Sequence, residues 1–242
     1  MNKKDIQLQL LSNLPIYIDN VPIYPISINE ISRIGYNRFN AEMRTLCLTS
    51  ADIKMLTGNE VSENDVYKYL VGLALSDETF MEAIVFWLSC LTKSKICFSD
   101  KKMSFTNGVF FINNNNFSDI QYIIRLRNGM KEDDEENENP ENAAAARILK
   151  RRKEERLKRL KVKQSDENSA ITLADLVSIL ANGLCLPIST VMEYDLYQFN
   201  DQFNRLKIKD DYEVNIQALL HGAKKEDIKF KHWITKIQNN SE

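Results

Sequence analysis

The chain has 242 residues, of which 43% are hydrophobic and 27% charged, with a net charge of −2. That balance is too apolar for wholesale disorder, and the length fits one or two independently folded parts. The small net charge hides a segregation of sign along the chain, so the average says little about partners. The longest apolar window, Phe80 to Leu91, is interrupted by Glu82 and is well short of the ~20 residues that cross a bilayer, which predicts no membrane span. Polar residues at Met1–Asp5 and breaks at Ser12, Asn13 and Pro15 predict no signal peptide. Cys47, Cys90, Cys97 and Cys185 lie in apolar surroundings with no repeated spacing, the pattern of reduced core thiols in a reducing cytoplasm.

In chain order, Pro15 to Pro25 holds two β-favouring runs around Asp19-Asn20, with Pro22 and Pro25 confining them to a small edge hairpin. Ser27-Ile28-Asn29-Glu30 matches a capping box, and the helix it opens runs through Tyr36, Phe39, Met43 and Leu46, with a bend at Gly35. Its partners are helices near Asp65–Leu75 and Asp77–Thr92, the second carrying Phe80, Ile84, Trp87 and Leu91 on one face. From Lys95 the texture becomes β: Ile96 to Phe98, Met103 to Phe105, a Thr106-Asn107-Gly108 turn, then Val109 to Ile112, read as a hairpin. Ser118 is the predicted cap of a short helix through Ile120, Ile123, Ile124 and Leu126, stopped by Asn128-Gly129.

Residues 131–141 are almost all acidic or amide side chains, with too little to bury to offset ordering entropy, so they read as a linker. Asn139-Pro140 then opens a helix whose Arg147–Lys163 run is basic; acid near its start and base toward its end complement the helix dipole. Leu149, Leu157 and Leu160 give it only a thin apolar stripe, so the reading is a solvated connector helix. After a polar break, Thr172 caps a helix ending at Asn182-Gly183, and Ser189 caps a short one through Tyr194. Asp195 and Gln198 form a further capping box, opening the best-patterned helix: Leu196, Phe199, Phe203 and Leu206, extended by Tyr212, Ile216, Leu219 and Leu220. The tail, Ile228 to Ile237, anchors through Phe230, Trp233 and Ile237.

The resulting fold class is mainly α. A helical domain with small β-hairpins spans 1–130, a charged linker with a solvated helix 131–168, and a small helical domain 169–242.

Motifs for chemistry are missing. His221 and His232 are not spaced as ligands and have no Cys or His cluster around them, so no metal site is predicted. The seven glycines are scattered, with no phosphate loop, and no serine lies in a nucleophile elbow. No catalytic or cofactor-binding residue is assigned, and the chain is read as non-enzymatic. Arg147–Lys163 could contact nucleic acid, but it lacks stacking aromatics and is flanked by acid. Lys229-Phe230-Lys231-His232-Trp233 interleaves bases and aromatics, which equally describes a short amphipathic helix docking Trp233. The candidate partner-binding residues are therefore Leu196, Phe199, Phe203, Leu206, Phe230 and Trp233, a stripe that serves either as a core face or as a groove for an apolar helix.

Three stretches, Val191-Met192-Glu193-Tyr194-Asp195-Leu196-Tyr197-Gln198-Phe199, Tyr212 to Ala223 and Lys231-His232-Trp233, resemble the C-terminal part of phage tail assembly chaperones from tailed phages and prophages of Gram-positive bacteria. The resemblance covers roughly the last 70 residues; the N-terminal part adds no diagnostic motif. It implies a protein of the host cytoplasm that binds the helical, apolar tape measure protein, helps recruit tail tube subunits, and is absent from the finished virion. Such a protein needs amphipathic helical surfaces and no catalytic residues. Two other readings stay open: a structural component of the tail or baseplate, and a nucleic-acid binder using the basic segment.

Overall fold

The computed structural model describes residues 3–130, 171–224 and 232–235. The predicted linker and its basic helix, 131–168, lie outside the described residues, as does Phe230. The fold is mainly α with two small antiparallel sheets. No helix among the described residues is long and apolar enough to cross a membrane.

Helix α1 (Lys3–Leu10) precedes a hairpin of β1 (Ile16–Ile18) and β2 (Val21–Ile23). Asp19 and Asn20, with φ of 45° and 65°, make the two-residue turn, whose handedness matches the twist of paired strands. The register sets Ile18 opposite Val21 and Tyr17 opposite Pro22. Counting from the turn, Tyr17 and Pro22 form a non-hydrogen-bonded pair, so the missing proline N–H costs no ladder bond.

The Ser27 box closes as expected, with the Glu30 amide donating to Ser27 Oγ at 3.2 Å and the Ser27 amide to Glu30 Oε2 at 2.8 Å. The helix it starts does not merely bend at Gly35. It breaks into α2 (Ile28–Ile34) and α3 (Tyr36–Leu46), because Gly35 adopts φ 97°, a region closed to residues with a Cβ. Helix α4 (Ser50–Thr57) is unanticipated: it buries only Ile53, and its signal is a Thr49–Asp52 capping box with left-handed Gly58 at its end.

Helices α5 (Val66–Ser76) and α6 (Glu78–Thr92) pack together at the centre of the N-terminal part. Ile84, Trp87 and Leu91 are buried on the face expected of α6, with Phe80 half-buried. The Trp87 ring meets Phe39 edge to face at 5.5 Å, and its Nε1 donates to Glu42 Oε2 at 2.6 Å, so the polar end of the indole is satisfied. The predicted hairpin is a three-stranded sheet of β3 (Cys97–Ser99), β4 (Ser104–Thr106) and β5 (Phe111–Ile112). The Tyr67 hydroxyl lies 3.0 Å from both the Met103 and Ile112 carbonyls and ties α5 to that sheet. Helix α7 (Phe117–Arg127) starts after Asn116 rather than after Ser118; the Asn116 amide group is engaged with the Phe111 carbonyl and the Asn113 N–H, fixing the turn two residues earlier.

In the C-terminal part, α8 (Leu173–Gly183) has the expected Thr172 cap, which Asp175 completes as a capping box. Helix α9 (Ile188–Met192) starts behind Pro187, with Ser189 inside the helix and not at its cap. Proline fixes φ at the entry to the first turn, and the Pro187 carbonyl accepts the Thr190 amide at 3.0 Å, so the first turn is set before a Ser189 cap could close it. Helix α10 (Leu196–Leu220) opens on the Asp195–Gln198 box. A Cβ at Gly183 would stand 2.5 Å from Leu206 Cδ2, so the Leu206 side chain lies directly over this glycine where α10 packs on α8.

Buried apolar residues fall into two clusters. One fills the N-terminal part around Trp87, Phe39 and Leu88; the other holds Val177, Leu180, Ala181, Val191, Phe199 and Leu206, joined by Ile28 from α2. The cysteines correct the expectation of four core thiols: Cys47 is buried and Cys90 half-buried, but Cys97 and Cys185 are exposed. Local apolar neighbours in sequence did not translate into burial at a strand edge and in the α8–α9 turn.

Candidate partner-binding surface on the last helix

Helix α10 is positioned by its first turn. The Asp195 carboxylate works with both oxygens: Oδ1 accepts the Gln198 amide at 2.8 Å, which caps the helix, and Oδ2 meets Arg127 Nη1 at 2.9 Å. Gln198 completes the box through Oε1 and turns its Nε2 outward to the Leu11 carbonyl at 2.9 Å and Asn13 Oδ1 at 3.0 Å. Arg127 also donates from Nη2 to the Leu14 carbonyl at 2.8 Å. The Ile28 amide donates to the Tyr194 carbonyl at 2.8 Å, beside a bridge between Ser27 and Asp195. These bonds join the two parts.

The Arg127 and Asp195 side chains are only 3% and 2% exposed. Burial pushes the Asp195 carboxyl up, opposed by the Gln198 amide and then by Arg127. Burial likewise pulls Arg127 down, opposed by Asp195. Each ion therefore loses more hydration than its partner returns, as is common for dry ion pairs. Among the described residues Arg127 Nε has no hydrogen-bond partner, which adds to that cost.

The six candidate residues are not gathered into one open patch. Phe199 and Leu206 are buried in the C-terminal cluster, and Leu196 and Phe203 are half-buried against it. Phe199 and Phe203 stack at 6.0 Å. Those four serve the chain's own core. Trp233 is 43% exposed, and Phe230 lies outside the described residues.

Beyond Leu206 the helix changes character. No residue from 207 to 220 is buried, yet Ile208, Tyr212, Ile216 and Leu219 are each half-buried. Their spacing of four, four and three puts them on one face. Ile208 was missed in the sequence, although its step to Tyr212 signals the same stripe. Residues 232–235 lie along this end: Arg205 Nη1 donates to the Thr235 carbonyl at 2.6 Å, and the Tyr212 and His232 rings stand 4.9 Å apart. Val214 and Leu220 are exposed at 64% and 79%. The distal half of α10 thus presents apolar surface outside both cores, on a helix whose start is fixed by Asp195.

Among the described residues no group of His, Cys, Asp and Glu could hold a metal ion. An open depression of about 280 Å³ beside the first hairpin is lined by Asp19, Asn20, Phe110, Asn113 and Asn116 among others. Two of those side chains are engaged within their own loop, Asn113 with the Asn115 amide and Asn116 with Asn113 and Phe111.

Residues 162–238 match the family model described as the YomV second domain, a family of phage-derived proteins of Bacillus prophages. The match spans α8, α9, α10 and the described tail, and it makes the C-terminal third phage-related. No curated protein and no solved structure matches the chain.

Proposed function

We propose that the chain is a non-enzymatic tail assembly chaperone of a tailed phage or prophage. It acts in the host cytoplasm, holds the tape measure protein soluble before the tail tube polymerises, and helps recruit tube subunits. The observation that carries this reading is the distal stripe of α10, Ile208 to Leu219, lying within the phage-related third of the chain. A long helical client with an apolar seam is recognised by a helix that offers a matching stripe at spacings of three and four. Roughly 14 residues of α10 beyond Leu206 give about 21 Å of such surface, about four turns. Trp233, which follows His232 and stacks on its ring at 6.2 Å, adds an aromatic anchor of the kind that dominates interfaces.

Co-expression with the tape measure protein of the same phage tests the reading. Expected is a soluble complex that forms with the unaltered chain and is lost on Ile216→Asp with Tyr212→Asp. A tape measure protein equally soluble and unbound with and without this chain would sink it.

A further inference from the structure

We propose that residues 171–224 form a detachable unit, held to residues 3–130 by a polar latch centred on Arg127 and Asp195, and that the latch opens while both hydrophobic clusters stay folded. The proposal is independent of the assembly role. It starts from how the clusters are divided. Each is built almost wholly from its own part of the chain; the residues that cross are Ile28, which enters the C-terminal cluster, and Leu196 and Tyr197, which touch the N-terminal one.

What fills the rest of the seam is polar and directional. Arg127 donates to Asp195 across the seam and to the carbonyls of Ser12 and Leu14 on its own side, and Gln198 Nε2 donates across it to the Leu11 carbonyl and to Asn13 Oδ1. Separating an apolar seam exposes surface that water rejects, but separating this one rehydrates a guanidinium and a carboxylate that were stripped of water. It also opens to water Arg127 Nε, which has no partner among the described residues. The latch therefore fixes one docking geometry while adding little net hold, the balance expected of an interface that opens below the cost of global unfolding.

Opening leaves the released unit intact. Asp195 Oδ1 caps Gln198 within the C-terminal part, so α10 keeps its first turn when Oδ2 loses Arg127. The Ser27–Glu30 box likewise lies within the N-terminal part. Opening bares Ile28 and Arg127, which are buried in the closed form, together with the covered sides of Leu196 and Tyr197.

Native-state hydrogen exchange on the full chain tests this, because the Ile28 amide bonds across the seam while amides of Leu88 and Leu180 lie inside the two parts. Expected is exchange at Ile28 at least ~10-fold faster than at Leu88 and Leu180, with a weaker denaturant dependence. Asp195→Asn, which keeps a capping oxygen and removes the charge, should speed Ile28 further and enlarge the radius of gyration in small-angle scattering. The double variant Arg127→Met, Asp195→Leu, which replaces ions by apolar contact, should slow Ile28 below the unaltered chain. Exchange at Ile28 that matches the cores, is unmoved by Asp195→Asn, or rises only together with both cores would overturn the proposal.

Discussion

Arg127 Nη1 lies 2.9 Å from Asp195 Oδ2, a buried ion pair between residues 68 apart in sequence. The same aspartate caps α10, so two substitutions separate its roles. Asp195→Asn removes the pair and keeps the cap; Asp195→Ala removes both. Expected is a further loss of about 1 kcal/mol for the alanine, the usual worth of an N-cap, read as the difference between their urea midpoints at equal slope.

Gly183 is expected to resist even alanine. The new Cβ would stand 2.5 Å from Leu206 Cδ2, inside a well-filled contact, and overpacking of this kind costs about 1–3 kcal/mol. Trimming the obstacle in Gly183→Ala, Leu206→Val should recover part of that loss. Thermal unfolding of the single and double variants measures it; additive losses would show that the two residues do not meet.

The thiols should divide by location. Cys97 and Cys185 are exposed and are expected to react with a thiol reagent in the native protein. Cys47 is buried, and burial pushes its thiol up to about 12, so it is expected to react only on unfolding. Mass spectrometry after timed labelling distinguishes them.

Acid should act on the exposed helix caps first. Hydrogen bonds from Thr79 and from Thr172 hold the Asp77 and Asp175 carboxyls below their ordinary value. With folded values below unfolded ones, their contribution is present above the unfolded value of about 3.9 and is lost as pH falls through the folded one. Residue-resolved spectra taken between pH 5 and pH 2 should therefore show the starts of α6 and α8 loosening before their interiors.

What the sequence disclosed was local. Ser27-x-x-Glu30, Thr172-x-x-Asp175 and Asp195-x-x-Gln198 each name their own bonds, and Ile84, Trp87 and Leu91 repeat with the helix, so these features were readable without tertiary knowledge. Helix α4 escaped because one buried residue, Ile53, makes no stripe. Arg127 looked like one more basic residue at a helix end, and only its meeting with Asp195 across the fold makes it a joint. The stripe at Phe199 and Leu206 was legible, but its destination was not: periodicity marks an apolar face and leaves open whether the chain itself or a partner covers it.

Purification of the full chain from host cells assembling phage particles, with quantification of the tape measure protein that accompanies it, tests the assembly role most directly. Expected is a stable complex with tape measure protein in assembling cells, weakened at least ~10-fold by Ile216→Asp with Tyr212→Asp, and none of this chain in mature particles. Recovery of the chain without tape measure protein, or in fixed stoichiometry within mature particles, would contradict it.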